Sequence, residues 1–483
     1  MSKRAVIAVG SSHLDIIIGQ LKGEGIIHIQ EMASHATGEA FACGKIKNYE
    51  MARMQLASWL DDALANHRDI RMVYVVLPCT LYAKDVRLIK QKIKGQVHPA
   101  QRLGIIKRAT RTRYGQKKYK TADIMLRRFF CDNEVFKNPN HQACRELSFE
   151  FICSGIDNRV LLHWAEMLQE LGYFVEEFLM DTVPMAHMLL TDVEKEKGSM
   201  VVDIGAHRSN LIIFHDYLVG MSAIPYGSAQ ITRFLSDMLH TDAMQAEHIK
   251  KMYGHLLAVT DAADPNLAVK YKCLNGREEL VAQSRLIHLL QQAMMKLIHT
   301  IKASILHTIN YNYLVETIHW LKVNDQFQDR RSIWKNLELH RSNFAKLSLA
   351  ERVALNMHKT YLNDPVLGGL LNQSAIRQAG TPQEKTYRGS LVVTGGGSLM
   401  EGLDNLLLHA LNHHDCFDLQ LSLPDDFQEF VTTSESKKPV MRSSLPSVAG
   451  LCHLFSETFN LNTEETYLES LLFKNKKANI VIL

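Results

Sequence analysis

Paired cysteine motifs are missing from this chain. Its eight cysteines, Cys43, Cys79, Cys131, Cys144, Cys153, Cys273, Cys416 and Cys452, stand singly, with no CxxC pair. That argues against a zinc site and against a disulfide framework, and it fits a reducing compartment. No run of 18 apolar residues occurs, so no segment reads as membrane-spanning. No cleaved leader is expected, because Met1-Ser2-Lys3-Arg4 runs straight into a short apolar strand. Neither GxGxxG nor GxxxxGK followed by Ser or Thr is present, which removes the dinucleotide fingerprint and the P-loop.

What is present is ordinary in bulk and uneven in detail. With 483 residues, roughly two to four domains fit. A hydrophobic share of 46% and a charged share of 22% belong to a soluble globular protein with a large core. The net charge of +4 conceals a basic stretch, Lys84–Arg128, where 15 Lys and Arg face only Asp85 and Asp123. That local +13 leaves −9 on the remainder of the chain. Such a stretch suits anionic lipid, an acidic protein partner or nucleic acid, or else a solvated face. Its aromatics are sparse and it carries no RNP-like or helix-turn-helix pattern, so nucleic acid is not expected as a partner.

The chain is organised around Met200–Asp216, MVVDIGAHRSNLIIFHD. It reads as a buried hairpin: an apolar run into Asp203-Ile204-Gly205, the polar turn Ala206–Asn210, and the apolar run Leu211–Phe214. A carboxylate at a strand end followed by Gly can place turn amides around a phosphate and its metal ion. The same residues also suit an ordinary core hairpin. A weaker copy, Val6–Ile18, lies 195 residues earlier when Gly10 is set on Gly205, which points to two related halves.

Around these hairpins, Ile26–Glu31 reads as a third strand, Glu50–Ala65 as an amphipathic helix and Met72–Leu77 as a buried strand. The basic insert is expected to hold a helix at His98–Arg113 and strands at Asp123–Cys131 and Leu147–Cys153. Asn158–Leu171, Pro184–Leu190, Gly227–Leu239 and Ala243–Tyr253 read as helices, Phe174–Leu179 and Leu218–Pro225 as strands, and Gly254–Leu280 as irregular. A long helix is expected over Leu280–Leu306. Helical pieces such as Val315–Leu321, Arg331–Leu339 and Ala350–Leu362 follow in a polar insertion, and Leu445–Leu454 reads as the last helix of the body. Ser390–Thr394 is a buried strand that enters Gly395-Gly396-Gly397-Ser398 and a helix at Glu401–Leu411. Three glycines between strand and helix let a ligand approach the backbone.

This order, hairpin with Gly, strand with Asp-Ile-Gly and a second hairpin, then VVTGGGSLMEGL before a helix, resembles the actin and heat-shock ATPase superfamily. The insert at Lys84–Gly155 narrows the resemblance to the bacterial cell-division protein FtsA, of which the chain looks like a divergent member. The resemblance covers roughly residues 5–306 and 389–454. It implies an α/β, actin-like, duplicated two-lobed fold with a small α+β subdomain inserted in the first lobe and a helical insertion in the second. The implied divisions are 1–83 with 156–197, 84–155, 198–240 with 389–455, 241–388, and a tail at 456–483.

The resemblance also implies ATP held between the lobes. Gly10, Ser11 and Ser12 match the first phosphate loop. Asp203, Ile204 and Gly205 match the second, with Asp203 placed to bind Mg²⁺ through water. Glu247 and Lys250 match positions that contact ribose and base, and Gly395, Gly396, Gly397 and Ser398 match the adenosine loop. The chain departs from the pattern at Ala8, where the family has an acidic residue, and at Ala206–Asn210, where the family is rich in Gly and Thr with a closing Asp. Arg208 and His207 narrow the approach to the backbone, or Arg208 supplies a cation for a phosphate. No residue near Asp181 or Val183 stands out to orient an attacking water, so at most a weak ATPase is expected.

The implied function is a cytoskeletal adaptor of bacterial division. It would self-assemble on the cytoplasmic face of the inner membrane at the division site, tether the tubulin-like division protein and meet other division proteins through 84–155. Its anchor would be an amphipathic tail within Thr463–Leu483. Alternatives are an assembly platform for a pilus or secretion machine, or a scaffold with a degenerate nucleotide site. An actin-fold kinase would need a general-base Asp motif at the cleft, which the sequence does not show.

Overall fold

The computed structural model describes residues 3–21, 27–112, 118–132, 134–253, 268–323, 386–400, 402–414, 417–422 and 431–433. The expected pieces at Arg331–Leu339, Ala350–Leu362 and Leu445–Leu454, the residue Glu401 and the tail 456–483 lie outside them.

The fold is mixed α/β, built on two mixed sheets of the same plan. In the first, β1 (Arg4–Val9) pairs antiparallel with β2 (His13–Leu21), and β2 with β3 (Ile27–Ala36). The next strands, β4 (Phe41–Ala42) and β5 (Lys45–Ile46), form a small separate hairpin before helix α1 (Tyr49–Ala63). Strand β6 (Met72–Leu77) then runs parallel to β1. Such interior strands bury both faces and read as apolar runs, as β1 and β6 do, each with five of six residues buried.

The inserted subdomain follows β6. It consists of β7 (Tyr82–Lys92), α2 (Pro99–Thr110), β8 (Tyr119–Cys131), β9 (Glu134–Phe136) and β10 (Glu146–Asp157), with sheet order β7-β10-β8-β9. These strands form a sheet separate from the first, with α2 between β7 and β8. The sequence reading lacked β7, because charged and apolar residues mix on both faces of its run, YAKDVRLIKQK, and no clean alternation marks it.

Helix α3 (Asn158–Glu170), whose N-cap Asp157 accepts from the Arg159 N–H, returns the chain to the first sheet. There β11 (Phe174–Met180) lies parallel to β6. Helices α4 (Thr182–Leu189) and α5 (Asp192–Lys197) then lead to the second sheet. Strands β12 (Met200–Ile204), β13 (Ser209–His215) and β14 (Tyr217–Ile224) form an antiparallel meander. Helices α6 (Ala229–Leu239) and α7 (Ala243–Tyr253) follow.

The stretch read as irregular contains a hairpin, β15 (Ala268–Lys272) with β16 (Glu278–Ala282). It escaped detection because only Val269, Tyr271 and Val281 of its ten residues are buried. The long helix α8 (Gln283–Val323) also absorbs the piece expected separately at Val315–Leu321. No Gly or Pro interrupts it, so polar sequence alone does not end the helix.

Last come β17 (Ser390–Thr394), α9 (Leu403–Asn412), β18 (Gln420–Leu421) and β19 (Val431–Thr433). β17 runs parallel to β12, and β18 to β17. The orders β3-β2-β1-β6-β11 and β14-β13-β12-β17-β18 are thus two copies of one arrangement. β19 crosses over and adds to the first sheet beside β3. One apolar core, around Trp164 and Leu56, takes in Val201, Ile212 and Val392 of the second sheet as well; a second, around Leu235 and Leu297, lies on that sheet's other side. The insert has a third around Phe149 and Phe151.

Two residues of the basic stretch are not on the surface. Arg127 and Arg128 both pair with Glu150, at 2.9 and 3.0 Å, and all three side chains are buried. From there Arg127 donates to the backbone carbonyls of Leu218 and Val219, and Arg128 to the Tyr217 hydroxyl. The insert is therefore bolted to β14 of the second half by residues that composition alone assigns to a charged face.

Candidate functional site

Five strands of the two sheets deliver their carboxyl ends to one place: β1 at Gly10, β6 at Cys79 and Thr80, β11 at Asp181, β12 at Gly205 and β17 at Gly395. The crevice outside the carboxyl ends of parallel strands is where open α/β sheets bind ligands.

The turns of the two hairpins oppose each other. Each closes with the same bond, Gly10 N–H to His13 O and Gly205 N–H to Arg208 O, both 2.8 Å. Across the gap the His207 amide donates to Ser11 Oγ at 3.3 Å. A Cβ on Gly205 would sit 3.4 Å from that same hydroxyl. Ser12, next in the turn, holds the His13 ring at 2.8 Å, and its carbonyl accepts from the Thr37 amide. Arg208 also crosses, donating from Nη1 to the Thr80 hydroxyl.

Beneath the turns, carboxylates from the two halves share one amide. Asn210 Nδ2 donates to Asp203 Oδ2 at 3.0 Å and to Asp181 Oδ2 at 3.1 Å. Its two N–H bonds are thereby spent, one on each half. The buried Cys79 thiol donates to Asn210 Oδ1 at 3.2 Å, which orients the amide, and the Cys79 N–H donates to Asp181 Oδ1 at 2.9 Å. Burial pushes Asp181 up to about 7, and the Asp203 charge adds to the effect. Burial likewise pushes Asp203 up to about 6, with the Asn210 bond opposing it. The Cys79 thiol is pushed up by burial to about 12, so it stays a donor.

The glycine run lies over the end of β12. Gly395 has φ +86°, and a Cβ there would fall 2.4 Å from Asp203 Oδ1 and 2.6 Å from Ile204 O. Gly397 packs as closely, with a Cβ position 2.4 Å from Ile204 Cγ2. Gly396 differs: it is exposed and a Cβ would meet nothing within 4 Å. Ser398 turns back, its hydroxyl donating to Gly395 O at 2.7 Å. Instead of a helix beginning at Glu401, a short 3₁₀ turn, Gly396–Leu399, precedes α9.

Glu247 and Lys250 sit on α7 and reach this site through α6. Their ion pair is 2.6 Å long. Lys250 Nζ also donates to Thr232 Oγ1 at 2.9 Å and to Ser228 O at 3.3 Å. Ser228 in turn donates its N–H to Gly205 O. Burial alone would raise Glu247, but the Lys250 and Thr232 bonds outweigh it and hold the carboxylate low. Burial pulls Lys250 down, against the pull of Glu247.

Other residues of this site carry little or no local signal in the sequence. Asn210 stands only as a departure from the family pattern, yet it joins the halves. Thr80 follows Pro78 in a segment with no motif, and Cys79 stands alone. Gly227, in the family-like run Ile224-Pro225-Tyr226-Gly227, stands where a Cβ would meet Gly205 O at 2.4 Å and Ala206 O at 2.7 Å.

Gly396, open where Gly395 and Gly397 are closely packed, the Ser11 and Ser12 hydroxyls and the half-exposed Glu247 are the groups here that suit a nucleotide. The carboxylates fit a resident Mg²⁺ poorly. Asp203 is engaged on one oxygen by Asn210 and lies against the Gly395 backbone on the other, and the described residues hold no group of three His, Cys, Asp or Glu able to take a metal ion.

A two-halved α/β protein with paired hairpin turns and a glycine strap over the second is the class these features define. The family model for the cell division protein FtsA matches residues 200–444, just over half of the chain. The chain belongs to the FtsA family. FtsA of Staphylococcus epidermidis is 23% identical over 258 residues, covering 52% of this chain and 54% of that protein. FtsA of Pseudomonas aeruginosa is 31% identical over 99 residues, 20% of this chain and 24% of the relative. The chain spans about half the length of the first of these curated relatives. Among solved structures, the PilM–PilN type IV pilus biogenesis complex aligns with a TM-score of 0.49 at 14% identity, over 94% of this chain and 98% of that one. MreB5 of Spiroplasma citri bound to ADP aligns at 0.42 and 12% identity, over 94% of this chain and 97% of that one.

Proposed function

We propose that this chain is a nucleotide-binding, self-assembling protein of bacterial cell division. The observation that carries the reading is the convergence of both hairpin turns and the glycine run on one cleft, together with membership of the FtsA family. A nucleoside triphosphate would lie with its phosphates between Gly10–Ser12 and Gly205–Arg208. Its base would lie near Gly396, and its ribose would reach towards Glu247. When bound, it supplies a charged bridge between the halves. Gly395 and Gly397 keep the strap close to β12, Gly396 leaves room for a ligand, and Ser11 and Ser12 offer hydroxyls to phosphate oxygens.

The function is assembly rather than turnover. Asp181, the carboxylate nearest to where an attacking water would be oriented, is held by Asn210 and the Cys79 amide. The proposed partners are a second copy of the chain, the tubulin-like division protein and other division proteins at the insert, on the cytoplasmic face of the inner membrane. No described helix is long and apolar enough to cross a membrane.

Calorimetric titration of the full chain with ATP tests the site, and electron microscopy on a lipid monolayer tests assembly. Saturable binding and nucleotide-dependent polymers are expected. An absence of heat at millimolar ATP would overturn the site reading.

A further inference from the structure

We propose that Arg208 provides the positive charge that binds the terminal phosphate of a nucleoside polyphosphate, so that binding in this cleft does not require a divalent cation. The proposal rests on the reading of the cleft as a nucleotide site. Three observations carry it.

The first is the state of Arg208 itself. Its guanidinium stands half-buried on the turn of the second hairpin and donates from one nitrogen to the Thr80 hydroxyl of the other half. Among the described residues no carboxylate lies within ion-pair distance of it. A guanidinium has five N–H donors in a planar fork, and one neutral hydroxyl neither neutralises it nor uses that fork. Removed partly from water, such a group favours an anion that can take two bonds at once, as a phosphate does.

The second is its position. Arg208 follows directly on His207, whose amide faces Ser11, and its own carbonyl closes the Gly205 turn. It therefore closes the second of the two segments that would hold the phosphates. Thr80 comes from the carboxyl end of β6, so the side chain already spans the gap.

The third is that the carboxylates beneath are committed elsewhere. Asp203 and Asp181 both bind Asn210, and Asp181 also accepts the Cys79 amide. They fasten the halves together and are not free to hold a cation for a polyphosphate, whereas Arg208 is a cation on the turn itself.

The test is calorimetry on the full chain with ATP and with adenosine, in EDTA and in Mg²⁺, for the native protein, Arg208→Ala and Arg208→Lys. The native chain should bind ATP about equally in both buffers. Arg208→Ala should bind ATP roughly tenfold or more weakly in EDTA, bind adenosine as before, and recover part of the loss in Mg²⁺. Arg208→Lys, which keeps the charge without the fork, should fall between them. Native ATP binding that vanishes in EDTA while adenosine still binds would overturn the proposal and leave the nucleotide site standing. So would an Arg208→Ala protein that binds ATP in EDTA as well as the native chain. If neither ATP nor adenosine binds in any buffer, the nucleotide reading itself fails, and this inference with it.

Discussion

The Arg127 guanidinium lies 2.9 Å from the Glu150 carboxylate, with both side chains completely enclosed between the inserted subdomain and the second half. Arg128 reaches the same oxygen, Glu150 Oε2, at 3.0 Å and stacks 4.5 Å from the Tyr217 ring. One anion thus balances two buried cations. Replacing Glu150 by Ala should cost about 3–5 kcal/mol, because removing one partner of a buried pair leaves uncompensated charge. Urea unfolding followed by circular dichroism measures it. A loss below about 1 kcal/mol would show that the arginines find water instead.

Gly395 and Gly396 are neighbours with opposite demands. Gly395→Ala would force a side chain into the left-handed region and against Asp203. It should cost more than about 1 kcal/mol and weaken ATP binding with it. Gly396→Ala meets open space and should leave the melting temperature nearly unchanged. If ATP affinity falls in the second variant as well, the ligand lies over that residue. Equal melting temperatures for the two variants would contradict the packing described for Gly395.

Stability should fall as pH rises from about 4 to about 7. The ordinary value of an Asp carboxyl is 3.8, and burial lifts Asp203 to about 6 and Asp181 to about 7. In that window the folded chain retains protons that the unfolded chain releases, so ionisation favours unfolding, and the penalty is complete above about 7. Cys79 and Lys84 also face Asp181, the Lys84 charge tempering the rise. Asp181→Asn should flatten the slope, as read from thermal melts at a series of pH values. An unchanged slope would place the titration elsewhere.

Asn210→Asp changes one atom of the side chain, yet it should harm this protein. A third carboxylate would stand beside Asp181 and Asp203, with no N–H to join them. A drop in melting temperature that is largest at alkaline pH is expected. If the variant is as stable as the native chain at pH 8, the bridging role assigned to Asn210 is wrong.

Much of this is legible in the sequence. The apolar run into Asp203-Ile204-Gly205 and its echo before Gly10 marked both hairpins, because buried strands must be apolar and tight turns need small or polar residues. Three successive glycines marked the strap. The hairpin β15–β16 and the strand β7 were not visible, since each is short of buried residues or mixed in pattern. Local rules detect what an element buries against its neighbours, and these bury little or bury it unevenly.

The sequence by itself determined the two hairpins, the basic insert and the glycine run, all of which are contiguous and carry local signals. Only the tertiary structure decided which residues face one another: Cys79 with Asn210 at a separation of 131 residues, Arg208 with Thr80 at 128, Arg127 with Leu218 at 91. Periodicity reports which face of an element is buried, and it is silent on what covers that face. Arg208 and Arg127 are the same residue type, one left with a single hydroxyl partner at a cleft and the other locked inside an interface. Their difference arises from packing, where the cost of taking a charge out of water is met by whatever partner the fold brings to it.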